Sequence, residues 1–313
     1  MEHIHEYDSD DEHSEKKGHF DLGKYLKEKR PTLSASSLKT YSSILGSLYR
    51  KVYGDESIEV NKFDDAPKII EHLKDLSPGR RKTILSALVV VTSNKKYRDL
   101  MMDDILKYDA SMEKNEKSDK EKDSWVEGNE IKELWEKLKD EADYLYKKKA
   151  HTMNDLQKIQ NFVLISVLGG LFCPPRRSLD FCAFKVRNVD KEKDNYLEKS
   201  DLVFNKYKTC KTYNQQLVKI PASLKLILNR WIRLTTNDYL FFDSNGSPLT
   251  SVKLNQRLTK LFGKNSSVNA IRHSYISEKY QPEIEIQNEM KNVARSMGTS
   301  PHLIQSVYLK KDS

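Results

Sequence analysis

Residues Val268–Tyr280 read VNAIRHSYISEKY, and Met297–Lys311 read MGTSPHLIQSVYLKK. In the first stretch Val268, Ile271 and Tyr275 fall at helical spacing, which predicts a helix with one apolar face and places Arg272 among those residues. In the second, Ser300-Pro301 opens a terminal helix that carries Tyr308 and offers Leu303, Ile304 and Val307 for burial. A packed core requires neither that guanidinium nor that phenol.

Working outward, Ala222 to Leu234 keeps helical spacing, and short breaks fall at DSNGSP and GKNSS. Before it, DLVFNKYKTCKTYNQQLVKIP predicts two strands over 201–207 and 215–220, joined by a polar turn that holds Lys208 and Lys211. In CPPRRSLDF the Pro174-Pro175 pair fixes the chain, so that either Arg176 or Arg177 can point into a cleft. DLQKIQNFVLISVLGGLF predicts a largely buried helix, and Ile131, Leu134, Trp135 and Leu138 mark another. The expected fold is mainly α with a small antiparallel hairpin.

Nearer the start, Leu38, Tyr41, Leu45 and Leu48 form one helical face, with Ser36 or Ser37 placed to cap it. Ser77 and Pro78 begin a second helix whose buried stripe is Ile84, Leu85, Leu88 and Val91. Arg80, Arg81 and Lys82 occupy its first turn, where the helix dipole disfavours cations. They are either phosphate contacts or solvated charges beside a loop. The charged stretch SMEKNEKSDKEKDSWVEGNE is poor in apolar residues and reads as a linker. The expected organisation is a disordered acidic tail at 1–30, a helical domain at 31–112, a linker at 113–123 and a second domain at 124–313.

At 313 residues the chain can bury two cores without a disulfide or metal staple. Cys173, Cys182 and Cys210 form no C-x-x-C pair, and no signal-peptide pattern appears. An intracellular, non-secreted protein is therefore expected. No apolar run reaches the ~20 residues that span a bilayer. His3, His5 and His13 lack regular ligand spacing, so no metal is expected. The net charge is +8, yet the first fifteen residues hold seven acids and no lysine or arginine. The rest of the chain carries 54 basic against 39 acidic side chains, a balance that favours nucleic acid over membrane as partner. The acidic tail can compete with DNA for that surface.

The order of these features, arginine, hairpin lysine, x-x-x-Arg-His, Gly-x-Ser and a terminal tyrosine, resembles the tyrosine recombinases. The family's H-x-x-R-H is matched by Asn269-Ala270-Ile271-Arg272-His273, and its L-G-H-S by Met297-Gly298-Thr299-Ser300. Tyr308 follows Thr299 by nine residues, as the nucleophile follows the histidine of that motif. PPRRSLDF is similar to the integrases of virophages and giant DNA viruses; Asp180, three residues after Arg177, selects Arg177 over Arg176. In the hairpin, YKT resembles the family's strand-end lysine, matched by Lys208, with Lys211 as the alternative.

The resemblance implies a two-domain DNA clamp, a helical core-binding domain followed by a catalytic one. It implies cleavage and rejoining of double-stranded DNA through a 3′-phosphotyrosyl bond, integration of a viral or other mobile genome, and no cofactor. Catalytic roles fall to Arg177, Lys208, Asn269, Arg272, Thr299 and Tyr308. A homo-tetramer on two DNA sites follows, in a host nucleus or at a site of viral replication. Asn269 and Thr299 stand where the family usually has proton-carrying or indole side chains, and both still offer hydrogen bonds. His273 is expected to support the site, and His302 is the nearest substitute for the missing imidazole. Five residues follow Tyr308, so any exchange between subunits would use its own helix or another surface. A type IB topoisomerase and a catalytically silent DNA-binding protein are the competing readings.

Overall fold

The computed structural model describes residues 20–54, 57–112 and 117–310. The acids of residues 2–15 and His3, His5 and His13 lie outside the described residues. The chain divides into two compact units, Met1–Glu116 and Lys117–Ser313.

The first unit is helical. Its elements are α1 (Leu22–Lys29), α2 (Ala35–Tyr53), a 3-10 turn at Val60–Asp64, α3 (Ala66–Leu73), α4 (Pro78–Thr92) and α5 (Lys95–Met112). Residues expected to extend an acidic tail instead form α1, because Leu22 and Leu26 have a core to enter and the Asp21 side chain caps the first turn. The cap of α2 is Ser34, two residues before Ser36 and three before Ser37, the expected caps; its oxygen accepts from Ser37 N at 3.1 Å. Leu45 and Leu48 of α2 and Leu85, Leu88 and Val91 of α4 are buried together with Phe63 and Tyr97. The Tyr97 hydroxyl donates to Phe63 O at 2.8 Å, so the buried phenol keeps a partner.

Arg81 has a structural partner. Its Nε and NH2 donate to the two carboxylate oxygens of Asp104 at 2.7 and 2.6 Å, and Asp104 is fully buried. That bidentate pair between α4 and α5 accounts for a cation in an unfavourable first turn. Lys82 lies 3.3 Å from the Tyr108 ring centroid. The Arg80 side chain makes no ion pair or hydrogen bond among the described residues.

The second unit opens with α6 (Asp119–Ser124), where a helix replaces part of the expected linker. Ser118 and Glu121 close a capping box there, satisfying the end groups of a short charged helix. Then come α7 (Gly128–Leu145), α8 (Met153–Leu168) and α9 (Ser178–Phe181). Three antiparallel strands follow in the order β1 (Tyr196–Glu198), β2 (Asp201–Phe204) and β3 (Gln216–Lys219). The expected hairpin is β2 and β3, paired from Asp201–Lys219 to Phe204–Gln216. Both strands are shorter than predicted, because α10 (Cys210–Tyr213) folds within the connection. Strand β1 escaped prediction, for three residues are too few to show alternation.

Helices α11 (Ala222–Leu234), α12 (Ser251–Phe262), α13 (Val268–Ser296) and α14 (Pro301–Leu303) complete the unit, followed by a π-type turn at Ile304–Tyr308. Helix α8 is buried on several faces between α7 and α11. Trp231 stacks on Phe242 with centroids 5.7 Å apart, and its indole donates to Leu240 O. Among the described residues no helix is long and apolar enough to cross a membrane.

Candidate active site

The N-terminal half of α13 positions Arg272. Ser267 caps it by accepting from Ala270 N at 3.2 Å, and Val268 and Ile271 insert into the core. One turn on, Tyr275 packs against Gly170, whose φ of +81° and missing side chain permit that approach. Further along, Glu278 accepts from Gly128 N at 2.7 Å, which joins α13 to the start of α7. These three attachments leave Arg272 on the remaining face. Its Nε donates to Pro175 O at 3.2 Å and its NH1 to Asn269 Oδ1 at 3.3 Å.

The prolyl turn supplies the opposing charges. Arg176 is committed to structure: Nε donates to Asp180 at 3.0 Å, NH1 donates to Gln216 of β3 at 2.8 Å, and the guanidinium lies 4.0 Å from the Phe204 ring centroid. The Arg177 side chain has no hydrogen-bond partner among the described residues. Burial lowers the Arg272 pKa most, and the Arg177 and Arg176 charges lower it further. Asp180 is 2% exposed, and its Oδ1 lacks a partner. Burial raises its pKa against the opposing pull of Arg176, Arg177 and Arg272. Asp180 is thus bonded to Arg176 and acted on by the charges of Arg177 and Arg272, a local excess of positive charge suited to a tetrahedral anion.

Lys208 lies in the β2–β3 connection, whose ends are anchored. Asn195 donates to Asp180 O and Lys206 O and accepts from Asn205 N and Lys206 N, so all its amide valences reach this corner. The buried Tyr207 closes the connection through its hydroxyl to Asn214 O at 2.6 Å. Lys208 and Lys211 are exposed, with no ion pair or hydrogen bond among the described residues.

Thr299 and Tyr308 lie beyond a break in α13. Tyr280 has non-helical backbone angles and Pro282 removes a donor, so the helix bends there. Gly298, at φ +66°, ends it, and Thr299 N donates to Ala294 O at 2.9 Å. Ser300 caps α14 as expected. Leu303 and Val307, offered for burial by the sequence, remain exposed, as does Tyr308 at 59%. No hydrogen bond, ion pair or ring contact joins Tyr308 to the arginines among the described residues. His273 Nδ1 lies 3.6 Å from Glu121 Oε1, and the His302 side chain has no such partner.

The structure therefore bonds Arg272 to Asn269 and to the turn that carries Arg177, and among the described residues no hydrogen bond, ion pair or ring contact joins Thr299 or Tyr308 to them. Sequence reading missed Asn195, Gln216 and Glu278. Each acts across long chain separations, and no local pattern marks such residues.

No protein-family model and no curated protein matches the sequence. Among solved structures the chain is similar to XerH site-specific recombinase bound to difH substrate in a pre-cleavage complex. That likeness has 16% identity, 93% of this chain and 92% of that one covered, and a TM-score of 0.38. It is also similar to a lambda integrase dimer bound to a COC′ core site, with 13% identity, coverage of 93% and 79%, and a TM-score of 0.44. XerA recombinase is a third, at 15% identity, coverage of 82% and 81%, and a TM-score of 0.34.

Proposed function

We propose that this protein cuts and rejoins double-stranded DNA as a site-specific tyrosine recombinase, integrating a viral or other mobile genome. The observation that carries the reading is the bond from Arg272 Nε to Pro175 O, in the turn that carries Arg177, with a lysine on an anchored loop and a tyrosine at the motif's spacing. Two guanidiniums bind the nonbridging oxygens of the scissile phosphate and take up the charge that grows in the transition state.

In the reaction the Tyr308 oxygen forms a bond to phosphorus as the bond from phosphorus to the 5′ oxygen breaks. The phenol proton is lost to solvent or a nearby base, and Lys208 protonates the departing oxygen. A 3′-phosphotyrosyl link and a free 5′-hydroxyl result. Attack by a second strand's hydroxyl reverses the step, so no external energy source is consumed. Asn269 and Thr299 contribute hydrogen bonds alone. Tyr308 reaches the arginines by bending of its arm at the Tyr280–Pro282 break or by entering a neighbouring subunit. The exposed Met297, Leu303 and Val307 on that arm favour subunit contact, consistent with a tetramer holding two duplexes.

A second reading, a silent DNA-binding protein, draws on the exposure of Tyr308, which makes no contact with the arginines among the described residues, and on Asn269 binding Arg272. The deciding experiment incubates wild type and Tyr308→Phe with nicked suicide duplexes bearing candidate attachment sites. Recombinase chemistry gives a slow-migrating covalent band on a denaturing gel, lost in the variant. Tight binding to the same duplexes with no band would select the silent binder.

A further inference from the structure

Arg257 on α12 is a partly buried cation without a carboxylate partner among the described residues. Its NH1 donates to Gln160 Oε1 at 2.5 Å and its NH2 to Gln157 Oε1, both neutral carboxamides. Burial lowers its pKa, opposed only by the more remote charge of Asp243. Asp243 is already occupied: Lys253 donates to it at 2.6 Å, and Asn245 N and Ser247 N donate at 2.9 and 3.1 Å. A desolvated charge held by neutral dipoles gains most from an incoming counter-ion.

The surroundings fit an anion. Arg257 lines a groove of about 1110 Å³ together with Lys120, Lys253, Lys260 and Ser266, and with Asp243, whose carboxylate Lys253 pairs. Ser266 is 1% exposed, and its hydroxyl has no hydrogen-bond partner among the described residues. That hydroxyl is an independent sign of an unmet polar contact, because buried hydroxyls are ordinarily paired. Lys120 and Lys260 are exposed at the rim and make no ion pair among the described residues. None of Arg176, Arg177, Lys208 or Arg272 lines this groove.

We infer that the groove binds a backbone phosphate of the DNA duplex, with Arg257 and Ser266 at its floor and Lys120 and Lys260 at its rim, separate from the scissile phosphate. The inference rests on the DNA-binding reading above. The contact reads no bases and serves to hold the duplex in register.

The test measures duplex binding by the full chain across a sodium chloride series, comparing wild type with Arg257→Gln and with Lys120→Gln/Lys260→Gln. The double variant changes exposed side chains, so its folding does not depend on the buried site. Loss of the rim charges at that one phosphate lowers the magnitude of the log–log salt slope by about 1 and weakens binding on the order of tenfold at ~0.15 M salt. Wild-type affinity and slope in the double variant would overturn the inference while leaving the recombinase reading intact. Failure of the wild type to bind any duplex would overturn both. A parallel arm adds inorganic phosphate and follows the melting temperature. Stabilisation of wild type but not Arg257→Gln, with an unchanged DNA salt slope, would assign the groove to a small anion and reject the backbone phosphate.

Discussion

Arg272 Nε donates to the carbonyl oxygen of Pro175 across 97 residues of chain, tying α13 to the turn that carries Arg177. The bond fixes the plane of the guanidinium as well as its position. Arg272→Lys keeps the charge and loses that planar fork. On the recombinase reading, the rate of covalent adduct formation falls about 100-fold or more, in the range of a lost transition-state donor. Near-wild-type adduct formation would show that the fork is not used.

The pair of Arg81 and Asp104 makes a separate prediction about stability. Arg81→Met strands a fully buried carboxylate, and breaking such a pair costs roughly 3–5 kcal/mol. Urea unfolding of the first unit's signal measures it. Replacing both residues with apolar side chains of similar volume recovers much of the loss, and no recovery would mean that the damage lies in packing.

Acid stability should depend on Asp155. Lys148 donates to its carboxylate and Thr152 adds backbone and hydroxyl donors, which hold its pKa down to about 2. The folded value lies below the unfolded value of ~3.9, so the stabilisation is present above that value and is lost as pH falls from about 4 towards 2. Asp155→Asn should flatten the loss of melting temperature across that window. An unchanged profile would assign acid unfolding to other carboxylates.

Glu278 serves as a cap supplied from a distant helix. Glu127 makes no side-chain cap to α7, while Glu278 accepts from Gly128 N. Glu278→Ala should therefore cost about 1 kcal/mol, the usual scale of a lost N-cap. Gly128→Ala meets the Glu278 carboxylate directly and should destabilise as well. Additive losses in the double variant would show that the two positions act independently.

What was legible in the sequence follows the physics of repetition. Leu85, Leu88 and Val91 recur at the helical period, and their burial needs only an amphipathic face. The Asn269–Arg272 spacing likewise puts both side chains on one face, where they meet. Arg81 misled because a cation in a first turn looks displaced until Asp104 arrives from another helix. The exposed Leu303 and Val307 misled for the opposite reason, since apolar spacing says that a face can be buried and does not name its partner. Tyr308 belongs to the same case, for its motif spacing survives while its place depends on the break at Tyr280.

Helix α8 is enclosed by its neighbours in the second unit along most of its length. Ile159, Phe162, Val163, Leu164 and Ile165 are buried together, and α7 and α11 pack against the same helix. No local fraying can bring those amides to water while its neighbours hold. In deuterium the interior of α8 should exchange last, at the rate set by opening of the whole unit, whereas the residues beyond Pro282 exchange early. That contrast makes α8 an internal gauge of the unit's global stability, separable from motion of the arm that carries Tyr308.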